Sequence, residues 1–402
     1  MCVMATPRSY YSSESKTPQL GWFHRYPARF HQDALHEIFE RVYLTLGIPS
    51  VVLDPFAGTG STLSFARQLG VPSIGIELTA LGATIGRTRL SPPSDLVAAV
   101  KTAETIAAAE QLAASHDYPA ELVKWIGRVN CLRLKSYSTA IDAVRDAQLR
   151  RWLRLAVSSS LRPASIWLPG SIKPQVDFDR AFTPLGPHLV RCARALKRDC
   201  SLESTRFATH TPAIVISGNA TSLPLGDQTV DAIVTSPPYW KMYDYFDVHR
   251  LTYLAFAWRR HSLAQIGQFY GIERDGVGFM PPRYMGTWYR RDFRAEASVP
   301  GRSLRHYWNN MRLHICEAKR VLQPGGLAAY AIANHLRSQR RFALAQALVS
   351  VFREVGFKDV KLRARKQSSR RILPLGRDEC TGRFSSDDSN ASVAEFIIYA
   401  RR

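Results

Sequence analysis

The strongest constraint on how this chain folds is the string Val51-Val52-Leu53-Asp54-Pro55-Phe56-Ala57-Gly58-Thr59-Gly60-Ser61-Thr62. A short β-branched run ends in an acid, a glycine-rich turn follows, and Ser61 to Leu69 reads as a helix. Ser73 to Glu77 reads as the next strand and closes on a second acid. This is the opening β-α-β of a nucleotide-type parallel sheet, where glycines let backbone N–H groups approach a ligand. A lone Gly-x-Gly says little. One set between a strand and a helix, with a carboxylate ending the following strand, says much more.

Downstream of a helix around Ala80–Arg89 the β/α rhythm stops. Residues 91–210 read as helical: Asp95–Ser115 is alanine-rich, Ser138–Ser160 is periodic and basic, and several prolines break up the remainder. The sheet resumes with strands at Ala213–Ser217 and Val230–Thr235. After an irregular aromatic and basic stretch come a helix (Met311–Val321), a turn (Gln323-Pro324-Gly325-Gly326) and a strand (Leu327–Ala333). A helix (Arg341–Val355), a weak strand near 358–363 and a last strand (Glu395–Tyr399) finish the pattern. The expected fold is α/β, with a mostly parallel twisted sheet, a helical insert and a second irregular insert. The expected division is 1–90 (first part of the core), 91–210 (helical insert), 211–240 (core), 241–310 (second insert) and 311–402 (last part of the core, with a basic flank).

Charge narrows the partners. Lys and Arg number 54 against 33 Asp and Glu, a formal +21, and 43 of the 54 are Arg. Guanidinium groups form planar forks to phosphate and guanine edges and stack on bases, so the excess points to nucleic acid. No apolar run approaches the ~18 residues of a membrane span, which excludes a membrane partner of that kind. The N-terminus lacks the apolar region of an export signal, and the six cysteines form no C-x-x-C pair. A reduced cytoplasmic enzyme with no metal site is expected.

The most specific string is Thr235-Ser236-Pro237-Pro238-Tyr239-Trp240, leaving the strand Asp231-Ala232-Ile233-Val234. Two prolines remove two backbone donors and fix φ, which makes a rigid turn with outward carbonyls. It leaves the carboxyl end of a parallel strand, where open α/β sheets bind ligands. A hydroxyl at Ser236, a carbonyl at Pro237 and a flat ring at Tyr239 suit a planar heterocycle bearing an amino group.

Asp54-Pro55-Phe56-Ala57-Gly58-Thr59-Gly60 and Ser236-Pro237-Pro238-Tyr239 resemble motifs I and IV of the S-adenosylmethionine-dependent amino-methyltransferases of DNA. Gly21-Trp22-Phe23-His24-Arg25-Tyr26-Pro27-Ala28-Arg29-Phe30 resembles their motif X, and Leu322 to Gly326 the turn before the fifth strand of many such enzymes. The likeness covers roughly 20–90 and 213–402, and no motif covers 91–210. It implies a Rossmann-like methyltransferase fold and S-adenosylmethionine as cofactor, with double-stranded DNA as substrate in the prokaryotic nucleoid. A cognate restriction endonuclease is an implied partner, while the recognition sequence and oligomeric state stay open.

The resemblance also implies residue roles. Ser236 and the Pro237 carbonyl would accept the two N–H groups of an exocyclic amine, Pro238 would stiffen the turn, and Tyr239 would stack on a base extruded from the duplex. Gly58 and Gly60 would admit the methionine end of the cofactor, and Glu77 would accept its ribose hydroxyls. Asp54 would orient the loop, Phe30 and Phe56 would form apolar walls, and Asn219 would meet the adenine amine. A plain turn residue is the competing reading of Asn219. Ser at the head of S-P-P-Y resembles the N4-cytosine group, with N6-adenine the alternative; an RNA base methyltransferase or a non-enzymatic binding protein are more distant ones. No cysteine follows a proline, which disfavours 5-methylcytosine chemistry. Nucleic-acid contacts are expected from Arg290 and Arg291 in 241–310, and from Arg363, Arg365 and Lys366 in a basic stretch. The aromatics Tyr253, Tyr270, Tyr284, Trp288, Tyr289 and Trp308 would stack on bases. By topology 241–310 starts at the reaction edge of the sheet, and 91–210 at the opposite edge unless it wraps around.

Overall fold

Val52–Asp54 forms β1, three buried residues flanked in the sheet by β2 (Ser73–Glu77) and β4 (Val230–Thr235). The computed structural model describes residues 24–26, 30–109, 111–207, 211–240, 245–256, 300–337, 340–365 and 395–402. With β3 (Ala213–Ser217), β5 (Leu322–Ala333), β8 (Lys358–Arg365) and β9 (Glu395–Arg401) the sheet has, among the described residues, seven strands in the order β3-β2-β1-β4-β5-β9-β8. Pairings from β3 through β5 are parallel; β9 runs antiparallel to both β5 and β8. This is the α/β architecture with a mostly parallel sheet that the motifs imply. Its order reverses between β1 and β4, so the crevice outside their carboxyl ends is the topological switch point where such sheets bind ligands.

Alternation along β1 explains the layers. Val52 packs on one face against α1 (Gln32–Leu46) and α2 (Ser61–Gln68), through Leu35, Ile38, Phe39 and Phe65. Leu53 faces the other side, where α11 (Pro300–Val321) and α12 (Leu344–Glu354) bring Met311, Ile315, Leu348 and Phe352. α3 (Ala80–Leu90) follows β2, and a two-stranded hairpin, β6 (His335–Arg337) and β7 (Arg340–Phe342), precedes α12.

The segment 91–210 is helical: α4 (Leu96–Ala108), α5 (Ala120–Ile126), α6 (Arg128–Asp142), α7 (Ala147–Ala164) and α8 (Leu185–Ser204). The periodic stretch 138–160 is two helices, because Asp146 accepts from the Gln148 and Leu149 amides and starts α7 afresh. These helices share a core with Leu81 and Ile85 of α3 and with Leu251, Tyr253 and Ala255 of α10 (Arg250–Phe256), which follows the short α9 (Tyr245–Val248). The insert therefore does wrap around. Arg151 in α7 donates to the Ser91 carbonyl, while Ser158 further along the same helix is 2.7 Å from Thr252 Oγ1, in the segment that leaves β4.

Two boundary expectations change. Gln323–Gly326 lies inside β5 as a bulge, the register jumping from Val230↔Leu322 to Ala232↔Leu327. Gly326 is required there, since a Cβ would stand 2.8 Å from the Asp231 carbonyl oxygen. α11 also starts well before Met311, with Tyr307 and Trp308 already buried on it.

Candidate active site

The glycine loop is held by two buried acids. Asp54 Oδ1, at the end of β1, accepts from the Phe56 amide (3.0 Å) and from Thr235 Oγ1 (2.6 Å). The second bond ties the glycine loop to the last residue of β4, directly before Ser236. Burial pushes the Asp54 carboxyl up to about 6, against the pull of these donors. Glu77 Oε2 accepts from the Gly58 amide at 2.8 Å, and its Oε1 from the Thr79 amide at 2.7 Å and the Thr79 hydroxyl. Burial raises its pKa too. Three of roughly four acceptor sites are taken, which leaves one for a ligand hydroxyl. Gly82 makes room for this carboxylate at the start of α3, because a Cβ there would lie 2.8 Å from Glu77 Cδ.

Gly58 and Gly60 have φ of +51° and +76°, conformations that side chains rarely adopt. Gly60 packs within 3.3 Å of Gly86 Cα, measured from an added Cβ, and so sets the α2–α3 spacing. Around the corresponding point on Gly58 nothing lies nearer than 3.9 Å, the space a close-approaching ligand needs. Phe56 lies edge-on to His314, and Phe30 is half-buried against the α1 face of the core.

At the neighbouring strand end, Pro237 and Pro238 are buried while Ser236 and Tyr239 are half-buried. Ser236 Oγ and the Tyr239 hydroxyl stand 3.5 Å apart, the outer limit of a hydrogen bond. The buried Tyr307 hydroxyl donates to the Pro238 carbonyl at 3.0 Å, so the turn is pinned one residue beyond the carbonyl proposed to read the amine.

A further buried group was not legible in the sequence. His314 Nδ1 is 3.0 Å from the Ala220 carbonyl and its Nε2 2.7 Å from the Tyr330 hydroxyl. Burial lowers the imidazole to about 4, so it is neutral, donates to Ala220 through Nδ1–H and accepts from Tyr330. It fixes the loop after β3. A histidine facing inward from an amphipathic helix was the available signal. On that loop Asn219 Oδ1 accepts from the Thr221 amide at 3.0 Å. Asn219 Oδ1 is thus engaged within its own turn, as in the competing reading.

The basic flank divides. Arg365 is 8% exposed, and its guanidinium pairs with Glu395 (2.6 Å) and Glu37 (3.5 Å) and lies 3.8 Å from Asp33. It ties β8 to β9 and α1, so it corrects the phosphate-contact expectation. Arg363 is 66% exposed and lies 3.5 Å from Glu37. Lys366, Arg290 and Arg291 lie outside the described residues, as do Tyr270, Tyr284, Trp288 and Tyr289. Tyr253 and Trp308 are 4% and 2% exposed and belong to the core, not to a stacking surface. Among the described residues no group of His, Cys, Asp or Glu has the arrangement of a metal site, and no helix is long and apolar enough to cross a membrane.

No protein-family model matches the sequence, and no curated protein does. Solved structures similar to it include an S-adenosylmethionine-dependent methyltransferase from Methanosarcina mazei (10% identity, 90% of this chain and 96% of that one, TM-score 0.34). Another is a 1,6-didemethyltoxoflavin N1-methyltransferase from Burkholderia thailandensis, bound to 1,6-didemethyltoxoflavin and S-adenosylhomocysteine (10% identity, 92% and 78% covered, TM-score 0.31). A third is the cyclase SpnF (12% identity, 94% and 84% covered, TM-score 0.35). Likeness at that level carries no argument about reaction or ligand.

Proposed function

We propose that this chain is an S-adenosylmethionine-dependent methyltransferase acting on the exocyclic N4 amine of cytosine in double-stranded DNA. The observation that carries the reading is the Asp54–Thr235 hydrogen bond, which locks the glycine loop to the S-P-P-Y turn across the switch point. A cofactor loop and an amine-reading turn fixed edge to edge are what methyl transfer to an amino group requires, because alignment of the two reactants supplies much of the acceleration.

The open space at Gly58, the remaining acceptor site on Glu77 and the wall at Phe56 fit a nucleoside-bearing cofactor. S-adenosylmethionine supplies an electrophilic methyl group when bound. The protein does the rest. Ser236 Oγ and the Pro237 carbonyl accept the two N–H groups of the amine, whose lone pair then turns out of conjugation toward the crevice. Tyr239 stacks on the extruded ring, and the Tyr307 contact keeps the turn from yielding. Mass spectrometry of digested DNA from an expressing host tests the reading. N4-methylcytosine is expected; N6-methyladenine moves the target base and keeps the site, and 5-methylcytosine or unmodified DNA defeats the proposal.

A further inference from the structure

Behind the glycine loop lies a cavity of about 270 Å³ whose lining includes His24 and Arg25, Ser159 and Arg162 of α7, Arg180, and His249. Three guanidinium groups and two imidazoles border one space, and among the described residues no carboxylate lines it. Two of the guanidinium groups are held in place. Arg180 donates to the Trp167 and Pro163 carbonyls at 2.9 and 2.6 Å, and Arg162 lies 4.3 Å above the Trp167 ring. His24 Nε2 is 2.9 Å from Ser158 Oγ. His249 is 5% exposed, and its Nε2 has no hydrogen-bond partner among the described residues. Its ring stacks on Tyr26 at 5.0 Å, and Tyr26 Cε1 lies 3.9 Å from where a Cβ on Gly58 would stand. One ring therefore separates this cavity from the glycine loop.

Such a cluster lacks negative charge. Burial, with Arg25 and Arg180 adding repulsion, draws the Arg162 guanidinium down to about 9. Burial with neighbouring His24 and Arg162 also holds His249 far below its ordinary range. An anion would relieve both. A planar carboxylate satisfies one guanidinium fork, whereas a tetrahedral phosphate presents oxygens to several donors at once.

We propose that this cavity is a phosphate-binding site, formed jointly by the N-terminal segment, the helical insert and the segment after β4. It makes the insert part of ligand recognition, whichever base the crevice methylates.

Calorimetric titration of inorganic phosphate into the full chain, at constant ionic strength, tests it. One phosphate per chain is expected. Arg162→Gln and Ser159→Asp should each weaken it by about tenfold or more, with S-adenosylmethionine affinity unchanged. Ser159→Asp guards against a folding defect in Arg162→Gln: its carboxylate enters the cationic cluster, so its Tm should rise as its phosphate affinity falls. Displacement of the inorganic phosphate by thymidine 5′-monophosphate supports the site and assigns it to a terminal phosphate. Displacement by the dinucleotide d(TpT), which has only an internal linkage, supports it and assigns it to the backbone. Unsaturable binding by the wild type, or wild-type phosphate affinity in Ser159→Asp, overturns it. No methyl transfer is measured, so the outcome is separate from the choice of target base.

Discussion

The rim of the crevice and the root of the helical insert both bury acids, but they balance them differently. At the rim Asp54 and Glu77 are held by backbone amides and hydroxyls, neutral donors that tolerate a protonated carboxyl. At the root Glu203 of α8 faces Arg89 of α3, 3.6 Å apart with side chains 1% and 0% exposed, and Ser64 of α2 donates to the same carboxylate. A neutral cage lets a carboxyl titrate with little rearrangement. An enclosed ion pair does not, because removing either partner takes away the main compensation for a buried charge. The rim is thus built for adjustment, and the insert is bolted to α2, the helix that follows the glycine loop.

The largest expected effect tests the bolt. Glu203→Leu should destabilise the protein by about 3 kcal/mol in urea unfolding, the low end for a broken enclosed pair, because Asp199 still acts on Arg89. The double variant Arg89→Met/Glu203→Leu should recover most of that loss. A single variant costing under about 1 kcal/mol would mean that solvent already reaches the pair, and the contrast with the rim would collapse.

The next effect tests the rim. Asp54 has a folded pKa of about 6 against an ordinary 3.8, so between these values the folded state holds more protons than the unfolded one. Stability from this group is therefore present at low pH and lost as pH rises through 6, by up to about 3 kcal/mol. Asp54→Asn keeps an acceptor for Phe56 and Thr235 but cannot ionise. Urea unfolding from pH 4 to 7 should give a flatter profile for the variant, and parallel profiles would refute a strained carboxyl at the rim.

Ser236→Ala addresses chemistry rather than stability. In the proposed reaction its contact to the amine would strengthen as the nitrogen becomes pyramidal, so single-turnover methylation should slow by the equivalent of about 1–3 kcal/mol. Affinity for S-adenosylmethionine should not move. A variant with full rate would remove Ser236 from the amine.

These expectations differ in how much of them the sequence carried. The sheet was legible because each strand end announces itself locally: Asp54 and Glu77 close apolar runs, and Pro237-Pro238 stops β4. The insert was legible only as helices, since what gives it a function is nonlocal. Ser158 meets Thr252 and His24, Glu203 meets Ser64 and Arg89, and no spacing in the chain predicts those partners. Asn219 and Arg365 misled for a related reason. A side chain that can serve a ligand can equally serve a turn or an ion pair, and the choice rests on neighbours from distant segments. His314 was passed over because a lone histidine on a helix gives no sign that Ala220 and Tyr330 wait on either side of it.

The smallest effect separates two arginines on one strand. Arg365→Gln leaves the carboxylates of Glu395 and Glu37 without their shared cation, so it should cost about 1–3 kcal/mol of stability. Arg363 lies two residues away, exposed, with one long contact to Glu37. A surface pair of that kind contributes little, and Arg363→Gln should leave stability within about 0.5 kcal/mol. If Arg363 meets the DNA backbone, its loss removes about one phosphate contact, and the slope of log K against log salt should become shallower by about 1. Base preference should be untouched, because phosphate contacts position the protein without reading sequence. An unchanged slope in Arg363→Gln, beside a clear stability loss in Arg365→Gln, would make β8 a purely structural edge. The phosphate contacts of the protein would then have to be sought on the insert side of the crevice.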